Sequence, residues 1–412
     1  MTDLHSDLRA LAAAAIAAAD PRALLRRALD AQQSFQNPSV GHHTIRVVAA
    51  GKAADAMLRA FGEQAPAART MIARGSHPLP DQASVRSGEH ALALAREARE
   101  AEGELVLLLS GGASAMLAAP GDGVSLDVKR DVTRRLLAAG VPIHDLNTVR
   151  KHLSRIKGGR LAMGLACTTF ALSDVVDDDP ASIGSGPTVA DPSTLADAKR
   201  VLERAGIARE LPEAVAALER CGETPKPGDA ALSRSRFVLI GGRRTAMDGA
   251  ATEALARGLA TIVFDEPITG EASAAGAAFV ARATAAARRI GGRAVVIASG
   301  ETTVNVRGSG TGGRNQEFAL GAAIEIARPI GDRTIPMAIA AFGTDGIDGT
   351  STAAGAIVDG STIARARDAG LDPSAALAGN DCHPFFERLG DLIVTGPTGT
   401  NVGDVFVAII GS

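Results

Sequence analysis

Short apolar runs rich in β-branched residues recur along the chain, separated by longer stretches with helical spacing. IRVVAA (45–50), ELVLLL (104–109) and TTFAL (168–172) are the first three runs, and stretches such as 84–101 between them read as helices. Strands alternating with helices predict βαβ units and a mostly parallel sheet. Upstream, residues 4–36 carry an Ala/Leu helical pattern broken once at Pro21, where Asp20 can cap a second helix. A second series follows: RFVLIGG (236–242), ATIVFDE (260–266), RAVVIASG (293–300) and IPMAIAAFG (335–343). The last two runs, DLIVTG (391–396) and DVFVAII (404–410), are joined by the glycine-rich PTGTNVG and predict a hairpin on a sheet edge. Between the two series the polar stretch GETPKPGDAALSRS (222–235) interrupts the pattern and predicts a domain boundary. The expected fold class is α/β, with two α/β domains built on mostly parallel sheets, 1–230 and 231–412.

Composition narrows the function classes. With 412 residues, two or three domains are expected. A net charge of −3 argues against a nucleic-acid binder held by phosphate contacts. There is no Trp or Tyr and only 11 Phe, so stacking on a base must use Phe, His, Arg or aliphatic groups. The three cysteines, Cys167, Cys221 and Cys382, form no CxxC, which fits a reducing compartment. No basic segment precedes an apolar stretch at the N-terminus, and no run reaches the ~18–20 apolar residues of a membrane span. A cytoplasmic protein with no membrane partner is expected.

Ligands of open α/β sheets gather beyond the carboxyl ends of strands, and six segments there could carry chemistry. GKAADAM (51–57) puts Lys52 beside the free N–H groups of a strand-to-helix turn, without the Walker A spacing. By itself an ordinary turn with a surface lysine is the commoner explanation. SGGASAM (110–116) offers Ser110, Gly111, Gly112 and Ser114 to a phosphate or carboxylate, against the plainer alternative of a tight turn that needs φ > 0. RKHLSRIKGGRLA (150–162) places Arg150, Lys151, Arg155, Lys157 and Arg160 close together, usually a solvated helix face. Gly158-Gly159 points instead to a close backbone approach. SDVVDDDPASIGSGPTVADPST (173–194) crowds Asp174, Asp177, Asp178, Asp179 and Asp191 into one loop. A cation would relieve their repulsion, while Asp-Pro pairs are also ordinary turn starters.

The last two segments lie in the C-terminal half. RGSGTGGRNQEFAL (307–320) satisfies GxGxxG with Gly308, Gly310 and Gly313 before a helix. The preceding TTVNVR alternates, unlike a strand buried on both faces, and the next acid, Asp345, comes 32 residues after Gly313 instead of ~20. A glycine-rich arch carrying Arg314 fits at least as well. GTDGIDGTSTAAGA (343–356) holds Asp345 and Asp348 in a glycine-rich turn that lacks the closing Glu of an EF-hand. His77-Pro78, His152 and the neighbours Cys382 and His383 read as structural.

In this order the six segments resemble the class II glycerate kinases, whose C-terminal region is the MOFRL domain, and the resemblance runs along nearly the whole chain. It implies a Rossmann-like domain at 1–230 and a MOFRL-type domain at 231–412, with the active site in the cleft between them. It implies ATP and Mg²⁺ or another divalent cation as cofactors, and D-glycerate as the small-molecule partner. The 2-hydroxyl is the implied acceptor, which the residues alone do not distinguish from the 3-hydroxyl. A homodimer is compatible with it. The family's lysine, aspartate and arginine match Lys52, Asp191 and Arg314. The matching motifs add Ser110, Gly111, Gly112, Ser114, Lys157, Asp174, Gly312 and Asn315 as substrate- or nucleotide-binding positions, with Asp345 as a metal ligand. Two departures stand out: Thr352 where the family usually has Asp, and Asp177 where it has Gly.

The residues agree with this resemblance, because phosphoryl transfer needs positioning and charge neutralisation more than covalent chemistry. Lys52 and Arg314 read as charge stabilisers, Asp191 as the base and Ser110-Gly111-Gly112 as an anion cradle. The alternatives are an NAD(P)H-dependent hydroxypyruvate reductase, on the strength of GxGxxG, and a non-catalytic sugar-acid binder.

Overall fold

In a computed structural model of the chain, residues 4–32, 44–290, 292–328 and 336–411 are described. They form two compact units, Pro21–Ile240 and Met1–Asp20 with Gly241–Ser412.

The first unit is built on five strands: β1 (Ile45–Ala50), β2 (Arg69–Ile72), β3 (Glu104–Leu109), β4 (Ala166–Leu172) and β5 (Ser235–Gly241). Their order is β2-β1-β3-β4-β5, and the pairings of β1 with β2, β1 with β3 and β3 with β4 are parallel. Leu105 to Leu109 are all sealed from solvent, which explains a continuous apolar run: a parallel strand covered on both faces has no solvent side to mark with polar residues. The helix Gln82–Glu100 begins at an Asp81–Ser84 capping box and lays Ala91, Leu94, Ala95 and Ala98 on this core. A helical layer, Leu126–Ala138, Ile143–His152, Leu195–Arg204 and Pro212–Cys221, closes around Val132, Leu136, Val149, Leu202 and Leu218.

The expected division at 230/231 differs from these units at both ends. The stretch 222–235 is stitched to the first unit: Cys167 N–H donates to Arg234 O at 3.2 Å and Ser235 Oγ to Thr188 O at 2.8 Å. Phe237 of β5 then packs on the first core. The N-terminal helix Leu4–Ala18 packs on the helix Arg243–Ala256, and its Asp7 pairs with Arg257 and Arg293. Local composition marks a linker but not the sheet its flanks join.

The second unit contains β6 (Ala260–Val263), β7 (Ile268–Glu271), β8 (Ala294–Thr303), β9 (Met337–Gly343), β10 (Gly355–Asp359), β11 (Leu392–Ile393) and β12 (Asp404–Ile410). The order is β11-β10-β9-β12-β8-β6, with β7 also on β8. Only β6 and β7 run parallel to β8; β12 is antiparallel to both β8 and β9, and β10 to both β9 and β11. The expectation of a mostly parallel sheet therefore fails for this unit. The expected terminal hairpin also fails. The 391–396 run supplies the short strand β11 beside β10, while β12 inserts between β8 and β9. Every residue of β12 is buried, and Phe406 stacks on Phe318 of the helix Arg314–Ile326 at 4.0 Å. Among the described residues no helix is long and apolar enough to cross a membrane.

Candidate active site

Parallel register aligns Ala50 with Leu109 and Leu109 with Ala171, so the turns after β1, β3 and β4 open onto one sheet edge. The first two turns are laced together. Lys52 N–H donates to Gly111 O at 2.9 Å, and Ser110 Oγ accepts from Ala53 N–H at 3.0 Å while donating to Ala50 O at 3.3 Å. Gly51 makes this possible: it has φ +111, and a β-carbon there would lie 2.3 Å from Ser110 Oγ. Ser110, expected to bind ligand, is instead buried and spends its hydroxyl on this frame. The outward face of the frame is available. Among the described residues the N–H groups of Gly111 and Gly112 have no acceptor, and Lys52 is exposed beside them. A β-carbon on Gly112 would lie 3.9 Å from Lys52 Cγ and 3.7 Å from His77 Cδ2, so these three residues share one corner.

Beneath that corner sits Lys157, which is buried. Its Nζ donates to Ser114 O at 2.8 Å, Ser114 Oγ at 3.1 Å and Gly184 O at 3.3 Å. Ser114 Oγ also bonds Ser185 Oγ at 2.8 Å, and Ser185 Oγ donates to Asn147 Oδ1 at 3.0 Å. Lys157 and Ser114 therefore brace the loop, Lys157 from a sealed position and Ser114 from a half-buried one. Burial pushes the Lys157 pKa well below its ordinary value, and the charges of Lys129 and Arg150 push the same way.

The expected solvated face at 150–162 also fails. Lys151 and His152 are buried with Lys157, and Lys151 Nζ donates to Asp191 Oδ1 at 3.1 Å. Asp191 is sealed, and both its oxygens are engaged. Oδ1 also accepts Ser193 N–H at 3.0 Å and Ser193 Oγ at 2.7 Å, and Oδ2 accepts Thr224 Oγ1 at 3.0 Å. Burial opposes its ionisation, yet Lys151 and Ser193 together hold its pKa below the ordinary value. Expected to be the base, Asp191 in this structure is sealed from solvent and serves as the partner of Lys151, Ser193 and Thr224. Gly158 lies against Asp191 and Thr224, the close approach expected of the glycine pair. Asp177 and Asp179 serve local turns, accepting Asp179 N–H and Ala181 N–H respectively. Asp174 is half-buried two residues beyond β4, at the same sheet edge as Lys52.

In the second unit Asp404 lies in register with Gly300 and Gly343. Arg314 grips it with Nε and Nη2, and its Nη1 reaches Glu301 Oε1 at 3.3 Å. Burial alone would lower the Arg314 pKa, but Asp404 and Glu301 more than offset it and hold it above the ordinary value. Asn315, buried, donates through Nδ2 to Asp348 Oδ1 at 3.2 Å and Asp404 Oδ1 at 3.1 Å. It thus organises two carboxylates, with no free donor for a ligand. Gly312 is used by Thr350, whose N–H it accepts at 3.0 Å.

The GxGxxG signal has a different explanation. The first N–H groups of the helix Arg314–Ile326 point at a protein carboxylate: Asn315 N–H and Gln316 N–H donate to Asp348 at 3.0 and 2.9 Å. A β-carbon on Gly313 would lie 2.4 Å from Asp348 Oδ1, so the glycine admits Asp348 to the place a pyrophosphate would take. Burial raises the Asp348 pKa to about 7 despite these bonds. Asp345 is half-buried nearby, its Oδ1 accepting Ile347 N–H at 3.2 Å. Among the described residues no three His, Cys, Asp or Glu side chains are grouped to hold a metal. The donor set expected around Asp345 is not assembled, because Asp348 caps a helix and Asp404 is taken by Arg314.

Sequence reasoning set aside two residues that the structure brings to the site. His77 stands at the Gly112 corner, and Arg150 shares the buried end of its helix with Lys151. His77 belongs to no glycine-rich turn, and Arg150 falls in a cluster of cations whose commoner explanation is a solvated helix face.

The chain matches the family models described as "Domain of unknown function (DUF4147)" over residues 7–219 and "MOFRL family" over residues 294–404. A protein of Agrobacterium vitis that carries the name hydroxypyruvate reductase is 39% identical, over 95% of this chain and 94% of its own length. The glycerate 2-kinase of Pyrococcus horikoshii is 37% identical, over 89% of this chain and 88% of its own. The crystal structure of glycerate kinase from Thermotoga maritima superposes with a TM-score of 0.84 at 32% identity, covering 99% of both chains. With the two glycine-rich turns of the first sheet and the Arg314 arch of the second in the same order, the chain belongs to the class II glycerate kinases with a C-terminal MOFRL domain.

Proposed function

We propose that this protein transfers the γ-phosphoryl group of ATP to the 2-hydroxyl of D-glycerate, giving 2-phosphoglycerate and ADP. The observation that carries this is the laced pair of turns at the edge of the first sheet. They hold Lys52 and the unpaired N–H groups of Gly111 and Gly112 in a rigid frame. Donors fixed before charge develops are what phosphoryl transfer needs from a protein. Lys52 neutralises charge on the transferring group. Asp191 is a positioning residue that holds Lys151. Asp174, at the same edge as Lys52, accepts the proton of the 2-hydroxyl as the new O–P bond forms and the bond to ADP breaks. The divalent cation enters on the ATP phosphates, as part of the substrate; among the described residues no group of three His, Cys, Asp or Glu side chains is arranged to hold it. The three free cysteines support a reducing, cytoplasmic setting.

The test is the purified protein with D-glycerate, ATP and Mg²⁺, with enolase coupled to the product. Enolase consumes 2-phosphoglycerate but not the 3-isomer, so a coupled signal is the expected result. NADH or NADPH oxidation with hydroxypyruvate and no ADP release would overturn the proposal.

A further inference from the structure

Arg150 lies in the last turn of the helix Ile143–His152. Its two neighbours are committed elsewhere: Lys151 to Asp191, and His152 Nε2 to Glu223 Oε1 at 2.9 Å. Asn147, one turn earlier on the same face as Arg150, accepts from Ser185 Oγ, so that face looks onto the Ser185–Ser114–Lys157 brace. Arg150 itself is partly buried, yet among the described residues its guanidinium makes neither a hydrogen bond nor an ion pair. Other arginines of the same stretch are satisfied. Arg160 donates to Ser154 O, Cys221 O, Gly222 O and Glu223 O, and Arg155 pairs with Glu89. Five N–H donors left in a partly desolvated place are costly unless something supplies acceptors.

The direction of its charge is also defined. Desolvation lowers the His77 pKa first, and the charges of Lys52 and Arg150 lower it further. Burial brings the Arg150 pKa down to about 10 with no carboxylate to counter it. Arg150 and Lys52 thus both bear on His77 at the Gly112 corner.

We infer that Arg150 binds the carboxylate of the acceptor substrate, a short 2-hydroxy acid, and so places its hydroxyl beside Lys52. This rests on the glycerate kinase proposal for the identity of the acid. A planar guanidinium matches a carboxylate with two parallel hydrogen bonds. In a 2-hydroxy acid that carboxylate is one bond from the carbon bearing the hydroxyl. A fork there orients the acceptor while Lys52 and the Gly111–Gly112 turn remain for phosphate.

Calorimetric titration of D-glycerate and, separately, of ATP into the parent, Arg150→Ala and Arg150→Lys tests this without requiring turnover. Arg150→Ala should weaken D-glycerate binding roughly 10- to 100-fold and leave ATP binding within about threefold, with an unchanged thermal midpoint. Arg150→Lys, which keeps charge and stem but loses the fork, should recover only part of the loss. Unchanged D-glycerate affinity in Arg150→Ala, or a loss confined to ATP, would overturn the inference even if the parent proves to be a glycerate kinase. Arg150-dependent binding of D-glycerate by a parent that transfers no phosphate would sink the kinase proposal and leave the inference standing.

Discussion

Lys151 donates to Asp191 at 3.1 Å in a place where the two side chains are 6% and 0% exposed. Ser193 and Thr224 occupy what remains of the carboxylate, so this aspartate is a partner for a buried ammonium before it is anything else. Asp191→Asn should therefore leave Lys151 buried without a counter-charge and destabilise the fold by about 3–5 kcal/mol. The fraction that remains folded should turn over at near the parental rate. Denaturant unfolding and kcat of this one variant decide it: intact stability with a hundredfold loss of kcat would return Asp191 to the role of base.

Lys52 is exposed, so its removal should cost the fold less than about 0.5 kcal/mol. If it stabilises charge on the transferring group, Lys52→Ala lowers kcat by roughly 10²–10⁴. A kcat within about threefold of the parent, with ADP release as the readout, would reduce it to a surface lysine.

Gly51 and Gly140 both have positive φ, +111 and +64, but only Gly51 has a neighbour, Ser110, in the space a side chain would need. Gly140→Ala should cost about 1–2 kcal/mol, the backbone penalty alone. Gly51→Ala should cost clearly more, because Ser110 must also move, and it should raise KM for ATP by displacing Lys52 and Gly111 together. Equal unfolding free energies for the two variants would mean that the lacing of the two turns adds nothing.

Asp348 gives a pH dependence whose sign can be worked out. Its folded pKa, about 7, lies above the unfolded value, so between about pH 4 and pH 7 the folded state binds more protons than the unfolded one. Stability then falls as pH rises through that window, and the effect is complete above the folded pKa. The unfolding free energy of Asp348→Asn, which titrates no group at this position, should lack that part of the decline. Parallel pH profiles for the parent and the variant would show that Asp348 is ionised throughout.

The 45–50 and 104–109 runs coincide with β1 and β3, and the turns after them are glycine-rich for reasons visible in each residue's backbone and neighbours. The candidate site was partly legible on the same grounds. Lys52, Gly111 and Gly112 follow strands, and position after a strand is a local property of the chain. The unreliable assignments were those that depended on a distant partner. Asp191 and Asp174 come from one acidic loop, but Asp191 is enclosed by Lys151, 40 residues earlier, and by Thr224, 33 residues later. Nothing near Asp191 in the chain signals that enclosure.

By itself, then, the sequence determined the element types, the strand-end turns and, through six motifs in order, the family. Apolar period and glycine placement act over a few residues, so they can be read along one chain. Strand direction cannot, because a strand buried on both faces shows the same apolar run whichever way it points; hence β12, wholly buried, was read as one arm of a hairpin instead of the antiparallel strand between β8 and β9. Tertiary structure alone decided which polar groups are already satisfied. It spent Ser110, Lys157, Asn315 and Asp191 on internal hydrogen bonds and left Arg150 without a partner among the described residues. Burial and pairing depend on what folding brings together from elsewhere in the chain, and that sets whether a charged side chain serves the fold or the ligand.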